Sequence, residues 1–242
     1  MLTPAEWEAL RLSLWVAGCA AFWGMVAAVP LAWIVARRRF PGRILFDALL
    51  HAPLILPPVV IGFVLLLVFG TQGPVGRWLG AVGVQLPFTS AGAALAAGVS
   101  CFPLMLRAVR LSIEGVDPKL EEAARSLGAG AWDRAFTIVL PLAAPGLIAG
   151  AVVGFAAALG EFGAVITFAA NIPGETQTLP LAIYSALQAP GGEATAAKLS
   201  AVSFAAALGG LLMIGATIMV ARDLWPAAAA NDNPLALRPL PA

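Results

Sequence analysis

The side chains of this sequence that could do chemistry are few, and they stand apart from one another. Glu161 is the one carboxylate deep in an apolar run, AALGEFGAV. An ionisable group held in hydrocarbon is costly, so such a residue is a candidate functional position by default. Gly160 and Gly163 interrupt the helix around it. Two readings stand: a carboxylate hydrogen-bonded at a helix break, or a gating group. His51 is a lone histidine near one end of another apolar run, without a partner cluster for a metal or a proton relay. Cys19 and Cys101 lie inside apolar runs with no CxxC spacing, and they read as small buried hydrophobes. Scattered serines beside a single histidine do not make a nucleophile and its base. No Walker A pattern occurs, so the chain cannot by itself hydrolyse ATP. Pro53, Pro57 and Pro58 free backbone groups within an apolar run, which is tolerated beside a pathway. A kink that serves packing accounts for them equally well.

What must position these residues is a membrane bundle. The 242 residues are 60% hydrophobic and 11% charged, with a mean hydropathy of +0.90, against about 25% charged in soluble domains. Five apolar stretches suffice to cross a hydrocarbon core of about 30 Å: Leu12 to Ala36, Leu49 to Gly70, Ala91 to Ala108, Pro145 to Ala169 and Leu199 to Ala221. They are continuously apolar and do not alternate, which excludes a barrel. Arg37, Arg38, Arg39, Arg43, Arg107, Arg110, Lys119, Arg125, Arg134, Arg222 and Arg238 fall on one side of this layout, and Arg11, Arg77 and Lys198 on the other. Basic residues are retained in the cytoplasm. The N-terminus is therefore expected in the periplasm and the C-terminus in the cytoplasm. RRRF follows the first apolar run instead of preceding it, the wrong order for a cleaved signal peptide, so that span is expected to be retained.

The expected organisation is a transmembrane domain over residues 1–222, with a cytoplasmic loop at 109–144 and a disordered Pro- and Ala-rich tail at 223–242. The outer segment TQGPVGRWLGAVGVQLPFTS is expected to lie against the membrane. The second outer segment is expected to hold a short helix around Leu181 to Leu187. An ion-gradient-driven secondary transporter, the main rival from another class, would want paired intramembrane ionisable groups and internal repeats, and only Glu161 is available. Nothing beyond topology is needed to explain the basic residues, and no nucleic-acid partner is expected.

The most informative stretch is polar: EEAARSLGAGAWDRAFTIVLP, residues 121–141. Asp117 suits an N-cap and Pro118 the first helical position. Leu120, Ala123, Ala124 and Leu127 share one face of the following helix, and Gly128 should end it as a left-handed cap. In a second helix, AWDRAFTIVL, Trp132, Phe136 and Val139 should share a face before Pro141 re-enters the membrane. The spacing predicts a bent helix hairpin at the bilayer surface, with small residues exposed where another protein could approach closely, and an ordinary amphipathic loop lying on the headgroups fits the residues equally well.

Glu122-Ala123-Ala124, three residues, Gly128, nine residues, Ile138, one residue, Leu140-Pro141 resembles the EAA loop of ABC importer permeases at every fixed position. The resemblance extends over nearly the whole chain. It is nearest to molybdate permease subunits in HAPLILPPVVIGFVLLL, FPLMLRAVRLSIEGVDPKLEEAARSLGAG and LGEFGAVITFAANIPGETQTLPLAIYSALQ. It implies an all-α integral membrane subunit of the type I importer kind, with five transmembrane helices and a cytoplasmic coupling-helix hairpin. It also implies a non-catalytic role in the inner membrane, beside a separate ABC ATPase that uses ATP, a periplasmic molybdate-binding protein, a second copy of the chain and the surrounding lipid. No cofactor is expected on this chain. Sulfate, thiosulfate and tungstate permeases are the alternatives within the superfamily. The hairpin residues Glu122, Ala123, Ala124, Gly128, Ile138, Leu140 and Pro141 would engage the ATPase, and Pro57, Pro58 and Glu161 are the pathway or gating candidates. Direct ligation of an oxyanion by Glu161 is physically poor, since like charges repel.

Overall fold

The computed structural model describes residues 2–38 and 40–224, and among these it is helical with no strand. Helix α1 (Pro4–Arg37) begins with a capping box. Glu6 N–H donates to Thr3 Oγ1 (3.3 Å), Thr3 N–H donates to Glu6 Oε2 (2.7 Å), and Pro4 opens the first turn. After α2 (Arg43–Ile55), α3 (Pro58–Phe69) and the short helix α4 (Pro74–Ala81), α5 (Ser90–Glu114) starts at Thr89, whose hydroxyl accepts from Gly92 N–H. Beyond a polar hairpin, α8 (Leu140–Leu159) returns across the bundle. It is followed by α9 (Gly163–Ala169), α10 (Leu179–Gln188) and α11 (Glu193–Leu224).

The core lies where α1, α5 and α8 meet. Small residues line the contact, Ala17, Ala20, Ala28 and Ala32 on α1 against Ala93, Ala96 and Ala97 on α5. Helices in lipid gain little from apolar burial and much from close backbone approach, which small residues permit. Met105 of α5, a bulky side chain that is fully buried, sits between Gly24 of α1 and Gly154 of α8. The opposite faces carry Trp15, Phe22, Trp23, Phe63, Leu67, Phe204 and Leu211, all exposed, as an acyl-chain environment requires. At one end of the bundle, Lys198 of α11 pairs with Glu6 at 2.5 Å, and Leu179 N–H of α10 donates to the buried Ser13 hydroxyl at 2.6 Å. These contacts bring the starts of α1, α10 and α11 together. Arg37 and Ile113 meet at the other end, so α1 and α5 run parallel, with α8 antiparallel to both.

Two of the expected spans are not continuous. Among the described residues four helices are long and apolar enough to cross a membrane, and the pair α2 and α3, bent by 116°, brings the number to five when it is counted as one span. The break falls at Leu56–Pro57, where a residue preceding proline is driven out of the helical region: ψ is 139° at Leu56 and 136° at Pro57. The expected fourth span, Pro145 to Ala169, is displaced. Its helix runs unbroken from Ala131, ends at Leu159, and is separated from the half-length α9 by Gly160 to Phe162. The last span begins at Glu193, six residues before the expected Leu199. The short helix expected around Leu181 to Leu187 is present, as α10. The expected disorder of the tail, and the placement of Arg39 and Arg238, lie outside the described residues.

Candidate functional site

The polar stretch folds as a hairpin at the end of the bundle where α1 and α5 finish. Its first arm, α6 (Pro118–Ser126), is capped by Asp117, whose carboxylate accepts from Lys119 N–H at 2.9 Å. The arm ends in a Schellman turn: Gly128 N–H donates to the carbonyl of Arg125 and Ala129 N–H to that of Ala124, both at 3.0 Å. Gly128 has φ of +90° with open space around it. The turn therefore demands glycine for its backbone and not for lack of room. Glu122 and Ala123 are exposed and Ala124 is partly so. Leu120 and Leu127 present 47% and 88% of their surface.

The second arm, α7 (Ala131–Arg134), passes straight into α8 through a π turn at Ala135–Val139. Pro141 has no N–H to give the preceding turn and its ring crowds it, and the helix widens just ahead of that position. This corrects the expected face. Trp132 and Phe136 stack with their ring centroids 6.0 Å apart and stay exposed, whereas Val139 is fully buried. One extra residue in the turn rotates Val139 off their side. Ile138, Leu140 and Pro141 are partly buried at the root of this arm. Arg134 braces the loop by donating to the Ala129 carbonyl at 2.5 Å. Glu121, in the first turn of α6, lies 2.9 Å from Arg37.

The pathway candidates Pro57, Pro58 and Glu161 come together midway along the bundle. α3 and α9 are half-length helices whose first residues touch: a Cβ added at Gly163 would lie 2.8 Å from Pro58 Cβ, and one at Gly62 would lie 2.7 Å from the Ala164 carbonyl. Glu161 sits at the start of α9. Its Oε1 accepts from Ala164 N–H and its Oε2 from the Ser100 hydroxyl, both at 2.9 Å. The carboxylate thus satisfies a helix start and ties it to α5 across the break, an arrangement that exposed N–H groups require in a medium without water.

His51 is not alone. Its Nδ1 lies 2.8 Å from the Asp47 carbonyl and 3.3 Å from the Asp47 carboxylate. Arg110 of α5 donates to both oxygens of that carboxylate at 3.0 and 2.9 Å, and to Glu114 at 2.8 Å. The i, i+4 spacings of Asp47 with His51 and of Arg110 with Glu114 were legible. Their meeting across α2 and α5 was not. Among the described residues no three His, Cys, Asp or Glu side chains gather as a metal site would need.

Residues 28–224 match the family model described as binding-protein-dependent transport system inner membrane component. The chain is 51% identical to the Escherichia coli (strain K12) molybdenum transport system permease protein ModB over 214 residues, 88% of this chain and 93% of that one. It is 38% identical to the sulfate transport system permease protein CysT of the same strain over 76% of this chain and 67% of that one. Among solved structures, a bacterial ABC transporter involved in import of the acidic polysaccharide alginate superposes with a TM-score of 0.71 at 17% identity, over 93% of this chain and 81% of that one.

Proposed function

We propose, on the premise that this chain belongs to the family of binding-protein-dependent transport system inner membrane components, that it is the membrane-spanning permease subunit of an ATP-driven molybdate importer. The observation that carries the mechanism is the hairpin: a capped helix, a left-handed glycine turn and an exposed stacked aromatic pair, held at one end of an apolar bundle. Such a surface is built to be gripped by another protein. With no nucleotide motif in the sequence, the gripping protein is a separate ABC ATPase. The ATPase-coupling residues are Glu122, Ala123, Ala124 and Gly128 on the first arm and turn, with Ile138, Leu140 and Pro141 at the root of the second.

One hairpin per chain calls for two copies of the chain to engage a pair of ATPase subunits, with the pathway along the dimer axis. The hairpin end is cytoplasmic, on the side where eleven of the fourteen basic residues fall, and residues 1–222 act as one transmembrane domain in the inner membrane. A periplasmic molybdate-binding protein docks at the opposite end, on the segments that hold α4 and α10. High-affinity capture belongs to that protein, because this chain has no mid-span Lys or Arg to hold a dianion. The broken crossings at Pro57–Pro58 and Glu161 are the gating candidates. Half-helices that meet mid-bundle can tilt without breaking a continuous hydrogen-bond ladder.

Sulfate is the second reading, favoured by the 38% identity to a sulfate permease, against 51% to a molybdenum permease. Purification of the tagged chain from its native membrane, followed by native mass spectrometry, tests the assembly. Two copies of the chain with two ATPase subunits are expected. A chain that purifies alone at native expression contradicts the reading.

A further inference from the structure

α6 buries none of its residues, so packing does not fix where the first arm of the hairpin sits. Its side-chain tie to the bundle is the ion pair between Glu121 Oε1 and Arg37 Nη2 at 2.9 Å, both side chains about one-fifth exposed. Arg37 is the last residue of α1, and the same Nη2 also donates to the carbonyls of Ile113 (3.0 Å) and Val116 (3.4 Å) at the end of α5. Carbonyls near a helix end can take donors from outside the helix, and here one guanidinium reaches Ile113 in the last turn of α5, Val116 in the connection that follows it, and the carboxylate of α6. The buried Nε of Arg37 has no partner. The head group is thus aimed to hold three helix ends together at the expense of its own full complement of bonds.

We propose that Arg37 and Glu121 form the strut through which the first arm moves the bundle. The inference rests on the reading of the hairpin as the ATPase-docking element. The second arm reaches α8 through the chain itself, by way of the π turn. The first arm has no such rigid continuation, because Gly115 to Asp117 separate α5 from α6. The strut closes that gap. A displacement of the docked hairpin is delivered to α1 and α5 as a unit through the guanidinium, and to α8 directly. Arginine suits this task because its planar head is always charged and carries five donors in fixed geometry, whereas lysine offers a point charge on a flexible stem.

The test uses the full complex with its ATPase and binding protein in proteoliposomes, with molybdate uptake and ATP hydrolysis measured in the same vesicles. Glu121→Gln is expected to retain the ATPase at wild-type stoichiometry and to keep hydrolysing ATP, while uptake per ATP falls by about fivefold or more, the lower range of allosteric couplings. In a background with Cys19 and Cys101 replaced by Ala, the pair Arg37→Cys with Glu121→Cys is expected to be uncoupled. A short bis-methanethiosulfonate, which joins the two thiols through reducible disulfides with sulfinate leaving, should restore uptake per ATP, and reduction should abolish it again; a role confined to fold stability would not respond in this reversible way. A wild-type ratio in Glu121→Gln, or a cross-link without effect, overturns the strut. Loss of the ATPase from Glu121→Gln also overturns it, assigning Glu121 to the docking surface instead. If Glu121→Gln does not accumulate, Arg37→Lys decides: an intermediate ratio supports the strut and a wild-type ratio overturns it. Gly128→Val in parallel separates the two readings. Normal uptake there removes the docking reading itself, whereas lost docking there beside a normal Glu121→Gln removes the strut alone.

Discussion

Replacing Gly128 by Val perturbs the hairpin through the backbone alone. With φ of +90° and nothing within 4 Å of an added Cβ, the substitution meets no steric clash with neighbours, so the left-handed conformation sets the penalty. That penalty is about 1–2 kcal/mol for a residue with a Cβ, and a β-branched side chain lies at the upper end. α6 has no buried residue to hold it in place. The penalty therefore acts directly on the hairpin, shifting its population away from the bent form by about 5–30-fold. The two Schellman bonds, from Gly128 N–H and Ala129 N–H, are lost with the bend. Membrane insertion depends on the apolar helices, which the substitution leaves unchanged, and should be unaffected. Asn tolerates the left-handed region and Ala does so less well, so uptake should fall in the order wild type, Asn, Ala, Val. Molybdate uptake and ATPase co-purification at matched expression measure both effects. A Gly128→Val protein that transports at the wild-type rate refutes the reasoning.

Glu122→Ala should weaken ATPase retention more mildly than Gly128→Val, because it removes a charge-assisted partner and leaves the turn intact; equal loss in co-purification would place the charge above the bend. Gly154→Val drives a side chain into the fully buried Met105, where an added Cβ would come within 2.5 Å of Met105 Cγ. Overpacking of this kind costs about 1–3 kcal/mol, so the thermal midpoint in detergent should drop and Met105→Ala should partly restore it. Glu161→Ala leaves the Ala164 N–H and the Ser100 hydroxyl without their acceptor, a loss of about 1–3 kcal/mol. Thermal stability should fall in the order wild type, Gln, Ala, and an Ala variant as stable as wild type would remove the capping role. A cysteine at Gly73 should be labelled by an impermeant thiol reagent from the periplasm, and one at Ala129 only after permeabilisation. The reverse pattern would invert the topology.

The hairpin was legible because its determinants are local. Asp117-Pro118 at one end of α6 and Gly128 at the other are fixed by backbone rules that act within a turn. The cap formed by Glu161 was half legible, since its acceptor role is local to Ala164 while Ser100 is 61 residues distant. Hydropathy located the crossings but is blind to direction. Leu49 to Gly70 reads as one span because Pro57 and Pro58 change the course of the chain without changing its apolarity. The π turn was hidden for a related reason. Periodicity presumes a constant number of residues per turn, and one extra residue before Pro141 was enough to bury Val139. Arg37 was counted only as a topological charge; its tie to Glu121 and to the end of α5 depends on the packing of α1 along α5, which no local pattern encodes.

The central claim, that this chain carries molybdate across the membrane when driven by a separate ATPase, is tested most directly by uptake of radiolabelled molybdate into proteoliposomes containing the chain, its ATPase and its binding protein. The account predicts ATP-dependent accumulation that disappears when any one component is omitted and that excess sulfate does not suppress. Accumulation by the chain alone, or suppression by sulfate with no molybdate preference, would contradict it.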